Sequence, residues 1–108
     1  MASNYRVLVH FHFKEGKEEE GIKFLENELI KKGKEFGCHY VELWQNEKDP
    51  TIVEGVAVWN DLEDARNFQS KWKNKEQELI SKFCTGDATR EFCIIRSIYM
   101  EKPAKKAA

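Results

Sequence analysis

The sequence lacks three features that would each identify a class of protein: an excess of charge, a long apolar run and closely paired cysteines. Its 108 residues include 18 Lys and Arg against 19 Asp and Glu, so charge gives no reason to expect binding to nucleic acid or an anionic membrane. No apolar run approaches the roughly 20 residues that span a bilayer, and the chain does not open with a basic segment followed by an apolar core. We therefore expect a soluble, cytoplasmic protein with neither nucleic acid nor membrane as a partner.

The cysteines are three in number and have no CxxC spacing: Cys38, Cys84 and Cys93. An odd count at irregular spacing is typical of reduced thiols in a reducing compartment, not of a disulfide framework. The spacing also does not favour a zinc site built from these cysteines alone.

The sequence does contain an ordered series of strand and helix patterns. Alternation with period two predicts strands, and apolar spacing of three and four predicts helices. The predicted strands cover residues 6–13, 38–45, 51–59 and 90–99, and the predicted helices cover about 18–36, 62–74 and 76–83. We expect one domain over residues 1–100 and a disordered tail over 101–108.

The ends of the helices have their own signals. The acidic run at 18–20 suits the positive end of a helix dipole, and Gly37 ends the first helix. Asn60 or Asp61 caps the second helix, which we expect to break near Asn74. The order βαββαβ is the split βαβ arrangement, an α+β ferredoxin-like antiparallel sheet with its helices on one face.

The strands are apolar on both faces, although the helices can cover only one. In the first strand we expect Val7, Val9, Phe11 and Phe13 to lie under the helices, while for the second and third strands the pattern does not choose a face. The fourth strand places Phe92 and Ile94 opposite Cys93 and Ile95. Several hundred Å² of exposed apolar surface, at about 25 cal/mol per Å², would forfeit on the order of ten kcal/mol. We therefore predict a homodimer; the alternative is a monomer with a lipid-like ligand over the open face.

His10 and His12 point to the same side of the first strand because they are two residues apart. In a two-fold dimer a second pair would approach them, which could hold a metal. No cysteine or clear carboxylate ligand lies near them in the pattern. We therefore interpret His10 and His12 as dimer-interface residues and predict no metal site.

Three segments together carry a resemblance to a known family: 37–44 (GCHYVELW), the Asp49–Pro50 step and 56–61 (VAVWND), with the first strand running into 14–18 (KEGKE). Over about residues 5–83 the chain resembles the antibiotic biosynthesis monooxygenase domain of the dimeric α/β-barrel superfamily. The resemblance implies two ferredoxin-like subunits whose sheets face each other, with a pocket between each sheet and its own helices. Some members oxidise polycyclic phenols to quinones without metal or flavin, and others degrade heme.

The resemblance and the helical spacing together indicate a candidate pocket. Trp59 matches the family's tryptophan at the end of the third strand. Phe68 and Trp72 are placed to line the cleft under the second helix, and Val9 and Phe11 form the floor of that cleft. We predict that these five residues line a site for a small hydrophobic or aromatic molecule. The alternative is that they are ordinary core, since aromatic stripes at helical spacing usually pack.

This chain lacks the polar residues that family members often have in such a site. Ala57 stands where members often have Glu, and Phe68 where many have His, so no catalytic residue can be assigned. For heme degradation, Val9 stands near the place of an Asn, Trp72 could replace the family's tryptophan, and no histidine follows His39 to ligate iron. We predict a monooxygenase that uses no cofactor and acts on a small aromatic or quinol. The alternative is a non-catalytic dimeric module that binds a hydrophobic metabolite, with a heme-degrading relative as a minor third.

Overall fold

A computed structural model describes residues 5–97 and residue 99 of the chain. The elements in chain order are β1 (Tyr5–His12), α1 (Glu18–Phe24), a π-helical segment (Leu25–Ile30), α2 (Lys31–Glu35), β2 (Cys38–Gln45), β3 (Ile52–Trp59), α3 (Leu62–Lys71), α4 (Lys73–Phe83) and β4 (Thr89–Ile94). The predicted tail at 101–108 lies outside the described residues.

The four strands form one antiparallel sheet in the order β2-β3-β1-β4, which confirms the predicted ferredoxin-like α+β fold. The fourth strand is shorter than predicted. Its last pair joins Ile94 to Tyr5, the first residue of β1. Residues 95–97 therefore have no strand partner in the described part of β1, and the predicted strand is wrong over this stretch.

The helices cover the face of the sheet that carries the odd-numbered residues of β1, as predicted. On this face Val7, Phe11, Val53 and Trp59 belong to the two clusters that include helix residues, so the structure places the odd-numbered residues of β3 under the helices, although Val56 and Val58 are also buried on the other face. Cys38 joins the same face, because the register between β2 and β3 shifts between Cys38 and Tyr40. A strict alternation over the predicted strand 38–45 would put Cys38 and Val41 on opposite faces; this expectation is wrong because the bulge adds one residue.

The first helix is not regularly α-helical, because its buried positions recur every fourth residue. Gly21, Leu25, Leu29 and Gly33 are the buried residues from 18 to 35. In an α-helix a spacing of four drifts by about 40°, so three steps would turn Gly33 about 120° away from Gly21. The π-helical turn, in which the N–H of Lys31 donates to the carbonyl of Glu26, advances less per residue and removes this drift.

The two glycines explain why both ends of this helix must face inward. A Cβ on Gly21 would approach Phe13 Cδ1 to 2.7 Å, and one on Gly33 would lie 3.6 Å from Cys38 Cβ and 3.8 Å from Phe68 Cζ. Gly21 therefore has no room for a Cβ, whereas Gly33 lies at ordinary van der Waals distance from the layer beneath. The π-helical segment keeps both contacts at once.

The second helix begins where one of the two predicted caps lies. The carboxylate of Asp61 accepts a hydrogen bond from the Glu63 N–H at 2.9 Å. The helix breaks at Trp72, with φ −103° and ψ 16°, two residues before the predicted Asn74. The break starts a new helix, α4, in which Leu79 is fully buried in the core.

Candidate binding cavity

A cavity of about 110 Å³ lies between the sheet and its helices. All five residues predicted to line a pocket do line it, namely Val9, Phe11, Trp59, Phe68 and Trp72. The structure thus brings together residues from β1, from the end of β3 and from α3 and its C-terminal end. Their role in binding stays a prediction.

Aromatic rings form one wall of the cavity. The ring of Phe68 lies 5.5 Å from Phe36, 5.7 Å from Trp59 and 6.0 Å from Trp72, measured between centroids, which are ordinary distances for packed aromatic pairs. Ala57 and Gly55 line the sheet side. Because alanine has only a methyl group and glycine has no side chain, these two positions leave the space that the rings enclose.

Within residues 5–97, the indole N–H of Trp72 has no hydrogen-bond partner, although Nε1 is buried. An indole nitrogen can only donate, and an unsatisfied buried donor costs about 1–3 kcal/mol. A bound molecule with an acceptor oxygen could recover that cost once the side chains around Nε1 move, because the nitrogen has almost no accessible surface in the unliganded protein. This is the feature of the cavity that most directly indicates a ligand.

A carboxylate and a guanidinium also line the cavity and are bound to each other. Arg90 Nη1 donates to Glu76 Oε2 at 3.2 Å, and Arg90 Nη2 donates to Glu76 Oε1. The side chains are 17% and 18% exposed, so the pair is well shielded from water. Both carboxylate oxygens are therefore occupied in the unliganded protein.

Three polar residues of the cavity were missed by the sequence reasoning: Gln69, Glu76 and Arg90. Helical spacing could have indicated two of them, because Gln69 and Glu76 lie three residues before and four residues after Trp72. Arg90 is on β4 and meets Glu76 only through the tertiary fold, so no local signal would have found it.

The buried cysteines are poor nucleophiles. Cys38 lines the cavity, and burial raises the pKa of its thiol, whose Sγ donates to the carbonyl of Tyr40 at 3.5 Å. Burial raises the pKa of Cys84 to about 11. Because the thiolate is the reactive form, both side chains remain protonated and unreactive at neutral pH.

The opposite face of the sheet, which we call the open face, carries both predicted interface histidines. His10 pairs in register with Glu54, with 3.9 Å between Nδ1 and Oε2, and His12 is exposed. No group of three or more His, Cys, Asp or Glu side chains that could hold a metal occurs within residues 5–97. The interface role of both histidines stays a prediction.

A hydrogen-bonded cluster of three side chains lies on the open face of β2. Trp44 Nε1 donates to Glu42 Oε1 at 2.7 Å, and the Tyr40 hydroxyl donates to Glu42 Oε2. These two bonds lower the pKa of Glu42 because they stabilise its carboxylate. Tyr40 and Trp44 are nevertheless 52% and 51% exposed.

The geometry is that of an α+β protein with a ferredoxin-like sheet and a pocket under its helices, and solved structures share this fold. The chain is similar to the monooxygenase ActVA-Orf6 of Streptomyces coelicolor, solved with nanaomycin D, with 14% identity, a TM-score of 0.76 and coverage of 93% of this chain and 94% of that one. It is also similar to an antibiotic biosynthesis monooxygenase, with 14% identity, a TM-score of 0.69 and coverage of 87% and 98%.

A third solved structure with this fold is a dimeric ferredoxin-like protein from an uncultured marine organism, with 13% identity, a TM-score of 0.67 and coverage of 94% and 95%. No family model and no curated protein sequence matches the chain. At these identities the likeness establishes the fold, which is the fold that the sequence resemblance implied. Among residues 5–97, no helix is long and apolar enough to cross a membrane.

Proposed function

We propose that the protein is a monooxygenase that oxidises a small phenol or quinol in this cavity without an added cofactor. The observation that carries the proposal is the buried N–H of Trp72, which has no acceptor among the described residues, in a cavity lined largely by apolar side chains. A phenolic oxygen is an acceptor of the right kind, and its ring suits the aromatic wall. The shared fold with monooxygenases supports the same reading.

The reaction would need little from the protein beyond binding and exclusion of water. The phenol loses its proton to solvent, and the resulting electron-rich phenolate supplies the electrons that reduce O₂. One oxygen atom forms a bond to the ring carbon; the other takes up two protons, equivalent to the phenolic proton and the displaced ring hydrogen, and leaves as water, so the phenol becomes a quinone. Donation from Trp72 would hold the substrate oxygen in place and stabilise its negative charge. The apolar walls would keep bulk water from the reactive ring.

The test is oxygen consumption with a panel of single-ring phenols and quinols, in the wild type and in Trp72→Phe. The variant keeps an aromatic ring and removes the N–H, so we expect kcat/KM to fall by about tenfold to hundredfold, the value of a hydrogen bond to a charged group. Trp44→Phe, on the open face, is the matched control and should leave the rate unchanged. Equal rates in the two variants would refute the role of Trp72.

A second candidate function is binding of a hydrophobic metabolite without catalysis. The observation that favours it is the state of Glu76, whose two oxygens are both held by Arg90, while Ala57 supplies no second carboxylate. A proton acceptor would therefore have to be released from its ion pair before it could act. Native mass spectrometry of freshly purified protein separates the two functions: a co-purified ligand that stays unchanged in air favours binding, and one that is oxidised favours the enzyme.

We also propose that the protein is a homodimer joined through the open face. Half-exposed Tyr40 and Trp44 of β2 share this face with the partly buried Leu8 of β1, and burying such surface against a second copy is favourable. The similar fold of a protein described as dimeric agrees with this. Analytical ultracentrifugation at micromolar concentration is the test, and a stable single chain would contradict the proposal.

A further inference from the structure

The cavity adjoins a groove on the outside of the protein. Three residues line both the cavity and the groove, namely Ile30, Cys38 and Val41. They come from the end of the π-helical segment and from β2, which is the edge strand of the sheet. These side chains therefore lie where the groove between the first helix and β2 adjoins the cavity.

The rim of the groove is basic. Lys31 and Lys34, one helical turn apart, line it together with His39. Neither lysine forms a salt bridge with any residue of the described part of the chain. One carboxylate, that of Asp64, lies against Gly37 at the same groove, where an added Cβ would come within 2.9 Å of its Oδ2. Two ammonium groups against one carboxylate leave the rim net positive.

The interior of the cavity has a different electrostatic character. Its guanidinium, on Arg90, already has both contacting nitrogens bound to Glu76, so it offers no free positive charge to a ligand. A negatively charged substituent would be costly to bury there without a partner. The same substituent would be favoured in the groove, where the lysines are unpaired and water remains available.

The size of the cavity limits the rest of the ligand. About 110 Å³ is on the scale of engineered apolar cavities, roughly 150 Å³, that take up a single benzene ring. One ring can thus lie within the chamber while a short substituent extends past Ile30 and Val41. A flat polycyclic molecule would require the walls to move.

We propose that this groove is the entrance of the cavity and the site that holds the negative charge of its ligand, a single-ring aromatic that carries a carboxylate. The inference rests on the proposed function in that the cavity must take up an aromatic ring. It adds the class of substrate, an aromatic acid, and the residues that select it, Lys31 and Lys34. It does not depend on whether the ring is then oxidised.

The experiment compares two probes of the same shape, 4-hydroxyphenylacetate and its neutral amide 4-hydroxyphenylacetamide, by calorimetry or tryptophan fluorescence. We expect the wild type to bind the acid about three- to tenfold more tightly than the amide at low salt, the range for two solvent-exposed charge contacts, with the difference shrinking at high salt. The double variant K31Q/K34Q should abolish this preference. The matched control K23Q/K48Q removes two exposed lysines that line neither the cavity nor the groove and should preserve it.

The other outcomes each overturn a distinct statement. Equal affinity for the two probes in the wild type would refute the preference for an anion and leave the proposed function intact. A preference that survives in K31Q/K34Q would refute the groove as the site of the charge. Failure of both probes to bind to the wild type would overturn this inference together with the proposal that the cavity binds small aromatic molecules.

Discussion

Trp44 and Trp72 lie on opposite sides of the same sheet, and their indole N–H groups are in opposite situations. On the open face, the N–H of Trp44 donates to Glu42 at 2.7 Å although the side chain is half exposed. On the helix side, the N–H of Trp72 is buried and has no partner. Water could have satisfied the first donor at no cost, whereas nothing in the described protein satisfies the second.

This difference supports the two proposals, a ligand site on the helix side and a dimer contact on the open face. Side chains that hold one another in place on an exposed face, as Tyr40, Glu42 and Trp44 do, present a preorganised surface to another macromolecule. A buried donor without an acceptor is instead a local loss of stability that a small ligand can recover. The helix side therefore suits a ligand, and the open face suits a second subunit.

The largest expected effect concerns helix register, on which the helix-side cavity depends. Deletion of the exposed Asn27, within the π-helical segment, should convert that segment to α-helix and still keep Gly21 and Gly33 aligned, because eleven residues make about three α-helical turns. In α4 no π-helical segment can accommodate the deletion of the exposed Gln77. This deletion would rotate Leu79 out of the core at a cost of about 2–5 kcal/mol.

Urea unfolding of the two deletion variants measures this difference. Deletion of Asn27 should change the free energy of unfolding much less than deletion of Gln77. If both deletions destabilise the protein equally, the π-helical segment is not the insertion that the period of four implies.

The next largest effect separates the shielded Arg90–Glu76 pair on the helix side from the exposed His10–Glu54 contact on the open face. Arg90→Ala leaves the shielded carboxylate of Glu76 without its partner and should lower the free energy of unfolding by about 2–3 kcal/mol. His10→Ala breaks a contact of 3.9 Å between side chains that are each 45% exposed and should cost less than about 1 kcal/mol. Denaturant titration at neutral pH compares them, and equal losses would contradict the assignment of the two environments.

The two tryptophans provide a comparison in which the sign of the effect differs. In the ligand-free protein, Trp72→Phe removes an unsatisfied buried donor and should leave stability unchanged or raise it by up to about 1 kcal/mol. Trp44→Phe removes a formed hydrogen bond and should lower stability by about 0.5–1 kcal/mol. Thermal unfolding of both variants is sufficient as a measurement. A loss of several kcal/mol on Trp72→Phe would mean that its N–H does have a partner.

The smallest effect is the pH dependence contributed by the open face. The hydrogen bonds from Tyr40 and Trp44 lower the folded-state pKa of Glu42 below its usual value of 4.5. A lowered folded-state pKa contributes stability above the unfolded-state pKa, and this contribution is lost as the pH falls through the folded-state value. Glu42→Gln should therefore flatten the loss of stability below about pH 4.5. An unchanged acid limb in this variant would show that the two bonds do not persist in solution.

Local patterns predicted much of this molecule because hydrophobic periodicity is a local property. Spacing predicted the bounds of β2 and the face of β1 under the helices. Residue type predicted a helix cap at Asn60 or Asp61, and the structure has Asp61. The five residues proposed to line a pocket do line one cavity, since each lies on the covered face of its element. The ferredoxin-like order of elements followed from the same periodicities.

The errors arose where the tertiary structure overrides a regular period. The bulge after Cys38, the break at Trp72 and the end of β4 at Ile94 each depend on what the neighbouring element pairs or packs with. The π-helical segment belongs to the same group: Gly21, Leu25, Leu29 and Gly33 are four residues apart in the sequence, but only the structure shows that all four are buried.

The sequence by itself determined which faces of which elements are apolar, because that depends only on the order of side chains along a helix or strand. Only the tertiary structure decided which polar groups meet inside. Arg90 reaches Glu76 from a different element, and the helix break at Trp72 leaves a donor buried without a partner. Packing between segments that are distant in the chain decides which polar groups pair and which donors are left without an acceptor. Spacing along the sequence does not give the distance in space between such segments.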